Sequence, residues 1–244
     1  MKKIFFSLRR HTVPLAGFLL VSLLFGACKK TLETGSQPPV AGLMAFNLMP
    51  DQESIGFTLS GNNLVNFPLQ YTNYTGSYLG IYVGSRDVAS YDANSRATLA
   101  TASQLFADSA YYSVFALGTN GHYRNVIVKD NLDSLSSTTG QAFVRYVNGI
   151  TDSTALPLVT ISSNGTDVFN TNAPFSSVSD FKGITPGNVS VKVNNESAIN
   201  ATRTITLEQG KIYTVLFVGT PGQTDTSKAV QIKFIQNGTV SANP

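Results

Sequence analysis

Residues 212–222 read IYTVLFVGTPG and residues 111–121 read YYSVFALGTNG, so the two stretches align at a spacing of 101 residues. A second pair of stretches, AFNLMPD at 45–51 and YVNGITD at 146–152, aligns at the same spacing. Two separate blocks that share one offset indicate an internal repeat. We therefore expect two tandem copies of one structural unit.

Short strands separated by turn residues are predicted in both copies. Val189, Val191 and Val193 alternate with polar residues, which is typical of a strand with one wet face. The run 212–218 is almost wholly apolar and predicts a central strand buried on both faces, with 111–117 as its counterpart. The predicted fold class is all-β: two tandem immunoglobulin-like β-sandwich domains, or sandwiches of a related topology, with about seven strands each.

The repeat and the local composition divide the chain into five predicted segments. They are a lipoprotein signal peptide at 1–27, a flexible tether at 28–40, a first and more divergent β-sandwich at 41–133, a Ser/Thr-rich linker at 134–140 and a second β-sandwich at 141–238.

The N-terminal residues have the pattern of an export signal. Basic residues precede an apolar run at 13–25, which is too short to cross a bilayer as a helix. The stretch FGAC at 25–28 resembles the lipobox of bacterial lipoproteins, in which the cysteine thiol is diacylated. Cys28 is the only cysteine in the chain, and we predict that it is lipidated. An ordinary signal peptide with a chance cysteine is the alternative.

Lipidation at Cys28 predicts that the mature protein is held at a membrane through its acyl chains, which anchor it stably. Lys29 after the cysteine resembles outer-membrane sorting, with the protein facing the periplasm or the cell surface. Four of the 17 basic residues lie before Cys28, which leaves 13 against 14 acidic residues in the mature chain. No basic surface remains to attract nucleic acid, so we expect no nucleic-acid partner.

The second copy resembles the bacterial domain of unknown function 4397. The resemblance lies in AFVRYVNGITDSTALPLVTISSNGTDVF at 142–169, FSSVSDFKGITPGNVSVKV at 175–193 and ITLEQGKIYTVLFVG at 205–219. The first copy keeps Asp51 and the strand around Tyr112, but Gly80 interrupts it where the family has a continuous strand. The resemblance implies a cell-envelope location, often as a lipoprotein of Bacteroidetes-like bacteria, and no established enzymatic chemistry.

Catalytic residues are not predicted. Only His122 of the two histidines follows the signal peptide, and no nucleophile-elbow motif is present. Asp51, Glu53 and Asp152 are weak candidates for a metal site, but they form no EF-hand pattern, so a turn-stabilising role for the two repeated aspartates is the favoured interpretation. We expect neither a cofactor nor an enzymatic activity.

Tyrosines supply the sharper hypothesis, because eight of the ten lie in the first copy. Tyr78 and Tyr82 flank Gly80 on one strand face, and Leu79 and Ile81 point the other way. With Tyr71 and Tyr74 nearby, these side chains could form a platform for a sugar ring or a protein partner. The alternative is that they pack against the second domain or cover a sheet edge.

Three functions follow from these patterns. The favoured one is a non-catalytic binding or adhesion module of the cell envelope, with a carbohydrate or protein partner. The second is a structural or accessory subunit of an envelope assembly that has no small ligand. A carboxylate-based hydrolase is the least favoured, because no sequence-local pair of carboxylates indicates a cleft.

Overall fold

The computed structural model describes residues 38–136, 140–151 and 156–240. Cys28 and Asp152 lie outside these ranges, so the signal peptide, the lipidation and the role of Asp152 stay predictions. Within the described ranges, no helix has the length and apolar character that a membrane crossing needs.

Strands account for nearly all of the regular structure. In the first copy they are β1 (Val40–Asn47), β2 (Ser54–Leu59), β3 (Asn62–Asn63), β4 (Leu69–Gln70), β5 (Leu79–Tyr82), β6 (Gly84–Asp92), β7 (Thr98–Phe106), β8 (Tyr111–Thr119) and β9 (His122–Asp130). A single 3-10 turn follows at Leu132–Ser134. In the second copy the strands are β10 (Ala142–Asn148), β11 (Leu158–Ser163), β12 (Thr166–Asn172), β13 (Lys182–Ile184), β14 (Gly187–Asn194), β15 (Asn200–Leu207), β16 (Lys211–Val218) and β17 (Gln231–Thr239).

Each copy is a sandwich of two sheets with the same strand order. The first copy has an inner sheet, β5-β1-β8-β9, and an outer sheet, β3-β2-β6-β7, with β4 also paired to β2. The second copy has an inner sheet, β13-β10-β16-β17, and an outer sheet, β12-β11-β14-β15. The predicted all-β sandwich class is therefore confirmed.

The strand order is a relative of the immunoglobulin arrangement rather than that arrangement itself. In both copies the first strand pairs in parallel with a late strand, β1 with β8 and β10 with β16. In immunoglobulin sheets the first strand lies beside the second, in the order A-B-E-D. Strand pairing over such a distance has no local sequence signal, so the sequence predicted the sandwich but not its order.

Three apolar cores hold the four sheets together. One lies inside each sandwich, between its inner and outer sheets. A third core lies between the two inner sheets, and its fully buried members are Met44, Phe46, Leu48, Phe115 and Leu117 from the first copy and Val147, Leu216 and Val218 from the second. Where the third core lies, both inner sheets are covered on both faces, which confirms the prediction for 212–218 and for 112–117; Tyr111, at the start of β8, is exposed instead.

A turn anchored by a buried asparagine ends β1 and β10. Asn47 accepts a hydrogen bond from the amide of Met49 at 3.1 Å, and Asn148 accepts one from the amide of Ile150 at 3.1 Å. Each asparagine also donates to a distant carbonyl, that of Leu69 or Ala173. In the described residues of the repeated block, asparagine therefore stabilises these turns. Asp51 instead contacts the hairpin formed by β8 and β9, where it accepts hydrogen bonds from the amide of Asn120 and the hydroxyl of Tyr123 at 2.7 Å each.

A buried ion pair joins the two copies at one end of the third core. Arg145 of β10 bonds both carboxylate oxygens of Asp130 at the end of β9, and the two side chains are 2% and 0% exposed. The guanidinium also donates to the hydroxyls of Ser113 and Thr214 at 2.9 Å each. A charge removed from water is tolerated only when it is paired and hydrogen-bonded, and here every partner is fixed on a strand. The pair therefore sets how the two inner sheets dock.

The variant Arg145→Met tests this pair. Methionine is chosen because Met44 occupies the equivalent position in the first copy. The variant leaves the buried carboxylate of Asp130 without a cation, and we expect the free energy of unfolding to fall by about 3–5 kcal/mol. Urea denaturation followed by circular dichroism measures the change.

Two further variants control the Arg145→Met experiment. Adding Asp130→Asn removes the uncompensated charge but keeps an acceptor for neighbouring hydroxyls, so the double variant should recover much of the lost stability. Arg96→Met removes an arginine that stacks on the Tyr91 ring at the surface, with an expected cost of about 1 kcal/mol or less. Equal losses in all three variants would contradict a specific role for the pair.

Candidate functional site

The inner sheet of the first copy has one face that the second copy covers only in part. Successive residues of β1 point to opposite faces: Leu43 and Ala45 belong to the core of the first sandwich, and Met44 and Phe46 belong to the third core. Gly42 shares the face of Met44 but precedes it on the strand. This end of the face carries the candidate site.

Two glycines form a flat floor at this end of the sheet. Gly42 pairs with Gly80 of β5 on one side and with Tyr111 of β8 on the other, and Val40 pairs with Tyr82. A side chain at Gly80 would meet nothing within 4 Å, so the space above it is open. A side chain at Gly42 would come within 2.6 Å of the Tyr111 ring, so only glycine fits beneath that ring.

Three tyrosines lie next to these glycines: Tyr78, Tyr82 and Tyr111. We call these three tyrosines, together with Gly42 and Gly80, the tyrosine platform. Tyr82 is 62% exposed and Tyr111 is 39% exposed, which are high values for large aromatic side chains. Leu79 and Ile81 point into the first sandwich, as the alternation of the sequence predicts. An open groove of about 350 Å³ lies against Gly42, Gly80 and Tyr111.

Tyr78 is the fixed member of the platform. Its ring lies edge-on to the ring of Tyr111, with centroids 5.0 Å apart, and its hydroxyl donates to Asp130 at 2.5 Å. Burial, together with the negative charge of Asp130, raises the pKa of the Tyr78 phenol well above its ordinary value. The phenol therefore stays protonated and keeps donating. Through Asp130 the platform is connected to Arg145 of the second copy.

The other two tyrosines that the sequence singled out lie deeper. Tyr74 stacks on Phe46 with ring centroids 5.4 Å apart, and both Tyr71 and Tyr74 pack against the third core. The Tyr71 hydroxyl is buried, and among the described residues it has no hydrogen-bond partner; this burial raises the pKa of the phenol. Of the four tyrosines, Tyr71, Tyr74 and Tyr78 pack against the third core, as the alternative interpretation expects. Tyr78 also borders the platform, and Tyr82 is the member of the four that is largely exposed.

The carboxylates considered for metal binding lie at the other end of β1. Asp51 is engaged with Asn120 and Tyr123, and Glu53 is exposed. In the part of the chain that the structure describes, no three His, Cys, Asp or Glu residues are grouped in a way that could hold a metal ion. His122 is exposed as the first residue of β9.

Three residues of this region escaped the sequence reasoning. Tyr111 was read as the start of a buried strand, because its approach to Gly42 depends on a pairing between residues 69 positions apart. Arg145 had a usable signal, since it is a charged residue inside the otherwise apolar stretch of β10. For Asp130 the sequence shows a carboxylate near the end of the first copy but not its burial, which depends on the docking of the second copy.

Comparison with known proteins identifies the family. The family model described as "Domain of unknown function (DUF4397)" matches residues 41–158 and again residues 142–242. No curated protein matches the chain.

Three solved structures are similar at 10% sequence identity each. The module CBMbc (family CBM26) of Eubacterium rectale Amy13K, crystallised with maltoheptaose, aligns with a TM-score of 0.26 over 79% of this chain and 96% of that one. A candidate cell adhesion protein from Bacteroides ovatus aligns with a TM-score of 0.24 over 85% and 100% of the two chains. A candidate cell adhesion protein from Bacteroides uniformis aligns with a TM-score of 0.23 over 82% and 98%. Similarity at this level specifies no ligand for the present chain.

The two family matches together span most of the chain and contain the 17 strands of the described residues except for Val40, the first residue of β1. The chain belongs to the DUF4397 family, with two tandem copies of its domain.

Proposed function

We propose that the protein is a non-catalytic binding module whose ligand stacks on the tyrosine platform. The observation that supports this most strongly is the pair of exposed rings on one face of the sheet: Tyr82 lies two residues after the open Gly80 on β5, and Tyr111 lies over Gly42. Exposed aromatic rings that are held rigidly cost little conformational entropy on binding. The edge-on contact with Tyr78 restrains Tyr111 in this way.

A carbohydrate fits this surface better than an apolar ligand does. A tyrosine offers an apolar ring face together with a hydroxyl, which matches a sugar ring with its C–H face and peripheral hydroxyls. The bare backbone at Gly80 lets a flat ligand approach the sheet. Ser109 borders the same groove and adds a polar group beside the rings.

The nearest carboxylates favour binding over hydrolysis. A glycosidase needs two carboxyl groups that converge on one bond. Asp130 has both oxygens occupied by Arg145, Ser113 and Tyr78, and Asp108 accepts a hydrogen bond from the amide of Val40 at 3.0 Å. Asp108 and Asp130 thus hold the protein together at the platform. Of the three carboxylates that line the neighbouring cavity, Asp133 alone makes no side-chain hydrogen bond within the described residues.

The proposal includes the lipid anchor at Cys28 and a place on the outer membrane. Because β1 begins at Val40, the platform lies at the end of the sandwich where the predicted tether joins. A tether from 28 to 40 reaches at most about 45 Å when fully extended.

Glycan-array screening of residues 38–244, followed by isothermal titration of the hits, tests the binding function. Tyr82→Ala and Tyr111→Ala should each weaken binding by about tenfold, which corresponds to ~1.4 kcal/mol, because each removes one stacking face. Tyr82→Phe keeps the ring and should retain most of the affinity.

Tyr91→Ala serves as the remote control, because Tyr91 lies over Gly56 on the outer sheet. Affinity that is unchanged in both platform variants would rule out the platform as the binding site.

A further inference from the structure

The groove at the platform continues beyond it. A second cavity of about 430 Å³ shares Ser109, Ala110 and Tyr111 with the groove at Gly42. A third cavity of about 280 Å³ shares Lys129, Asn131 and Ser134 with the second. The three cavities are therefore neighbours, and together we call them the trough.

The trough runs from the first copy to the second. It begins at β5 and crosses the inner sheet to β9, a distance of three strand spacings or about 14 Å. It then reaches Asp180 and Phe181, which belong to the second copy. Packed sheets lie about 10 Å apart, so the trough is long enough for several sugar rings in a row.

Polar side chains line the trough beyond the tyrosines. Asn131, Asp133 and Asp180 are exposed, and within the described residues their side chains make no hydrogen bond to protein. They offer amide and carboxylate groups that can bond to sugar hydroxyls. The aromatic rings thus lie at one end of the trough, and the hydrogen-bonding side chains lie along the rest of it.

The charge of the trough bears on the ligand. Asp108, Asp133 and Asp180 contribute negative charges, and Lys129 contributes one positive charge. Asp130 and Arg145 neutralise each other beneath the floor. The net negative charge disfavours an acidic polysaccharide, because like charges repel.

We propose that the ligand is a neutral, linear oligosaccharide that has one ring on Tyr82 and Tyr111 and extends along the trough to Asp180. This inference rests on the proposed function of the platform. It adds that both copies contribute to one site and that affinity depends on the length of the sugar chain.

Titration with oligosaccharides of increasing length tests the proposal. The neutral probes are two series of glucose oligomers from two to six units, one with β-1,4 links and one with α-1,4 links. Galacturonic acid oligomers of the same lengths are the acidic probes for comparison. In the glucose series that binds, affinity should rise at least tenfold from the disaccharide to the hexasaccharide. The galacturonic acid oligomers should bind more weakly than the neutral oligomers.

Variants along the trough separate its contribution from that of the platform. Asn131→Ala and Asp180→Asn should each weaken hexasaccharide binding by threefold to tenfold and leave disaccharide binding unchanged. Glu53→Ala, an exposed carboxylate at the opposite end of β1, is the matched control and should change neither.

The outcomes distinguish the two proposals. Affinity that is independent of chain length, together with a loss in Tyr82→Ala, would overturn the trough and leave the platform standing. Failure of every neutral oligomer to bind would contradict both proposals. Stronger binding of the galacturonic acid oligomers would overturn the preference for a neutral chain.

Discussion

The ion pair between Arg145 and Asp130 is the contact on which the arrangement of the two copies depends. It is buried at the end of the third core, where Asp130 also accepts the hydroxyls of Ser113 and Tyr78. Apolar contacts between the inner sheets favour docking but are not directional. The ion pair and its hydrogen bonds add direction, since each partner is fixed on a different strand. One network thus sets the docking of the sheets and the position of the Tyr78 ring in the platform.

The two copies have the same strands but have diverged where their inner sheets meet solvent. Gly42 and Tyr111 of the first copy correspond to Phe143 and Ile212 of the second, and both of these are buried. The second copy therefore presents no open glycine floor at the equivalent place. The divergence at Gly42 and Tyr111 falls on the platform itself. Gly80 is not divergent, because Gly183 takes the equivalent place in the second copy, where the Gln141 side chain lies against it.

Patterns of neighbouring residues in the sequence were enough to predict the repeat, the two-sided strands and the face shared by Tyr78 and Tyr82. All of these depend on periodicity within one strand. The strand order, the docking of the copies and the place of Tyr111 depend on contacts between distant residues, and periodicity carries no information about them. A second repeated feature was also hidden. The hydroxyls of Thr75 and Ser179 each accept a hydrogen bond from a backbone amide in the first strand of their copy, β1 or β10. The two residues are 104 positions apart, so they do not align at the repeat spacing of 101.

We propose the end of the inner sheet that the second copy leaves open as the ligand-binding surface. Fluorine NMR of the protein labelled with 3-fluorotyrosine tests it most directly, because each of the ten tyrosines gives its own resonance. Addition of the tightest-binding oligosaccharide should shift the resonances of Tyr82 and Tyr111 and leave those of Tyr91 and Tyr213 in place. Shifts confined to tyrosines outside the platform would contradict the account.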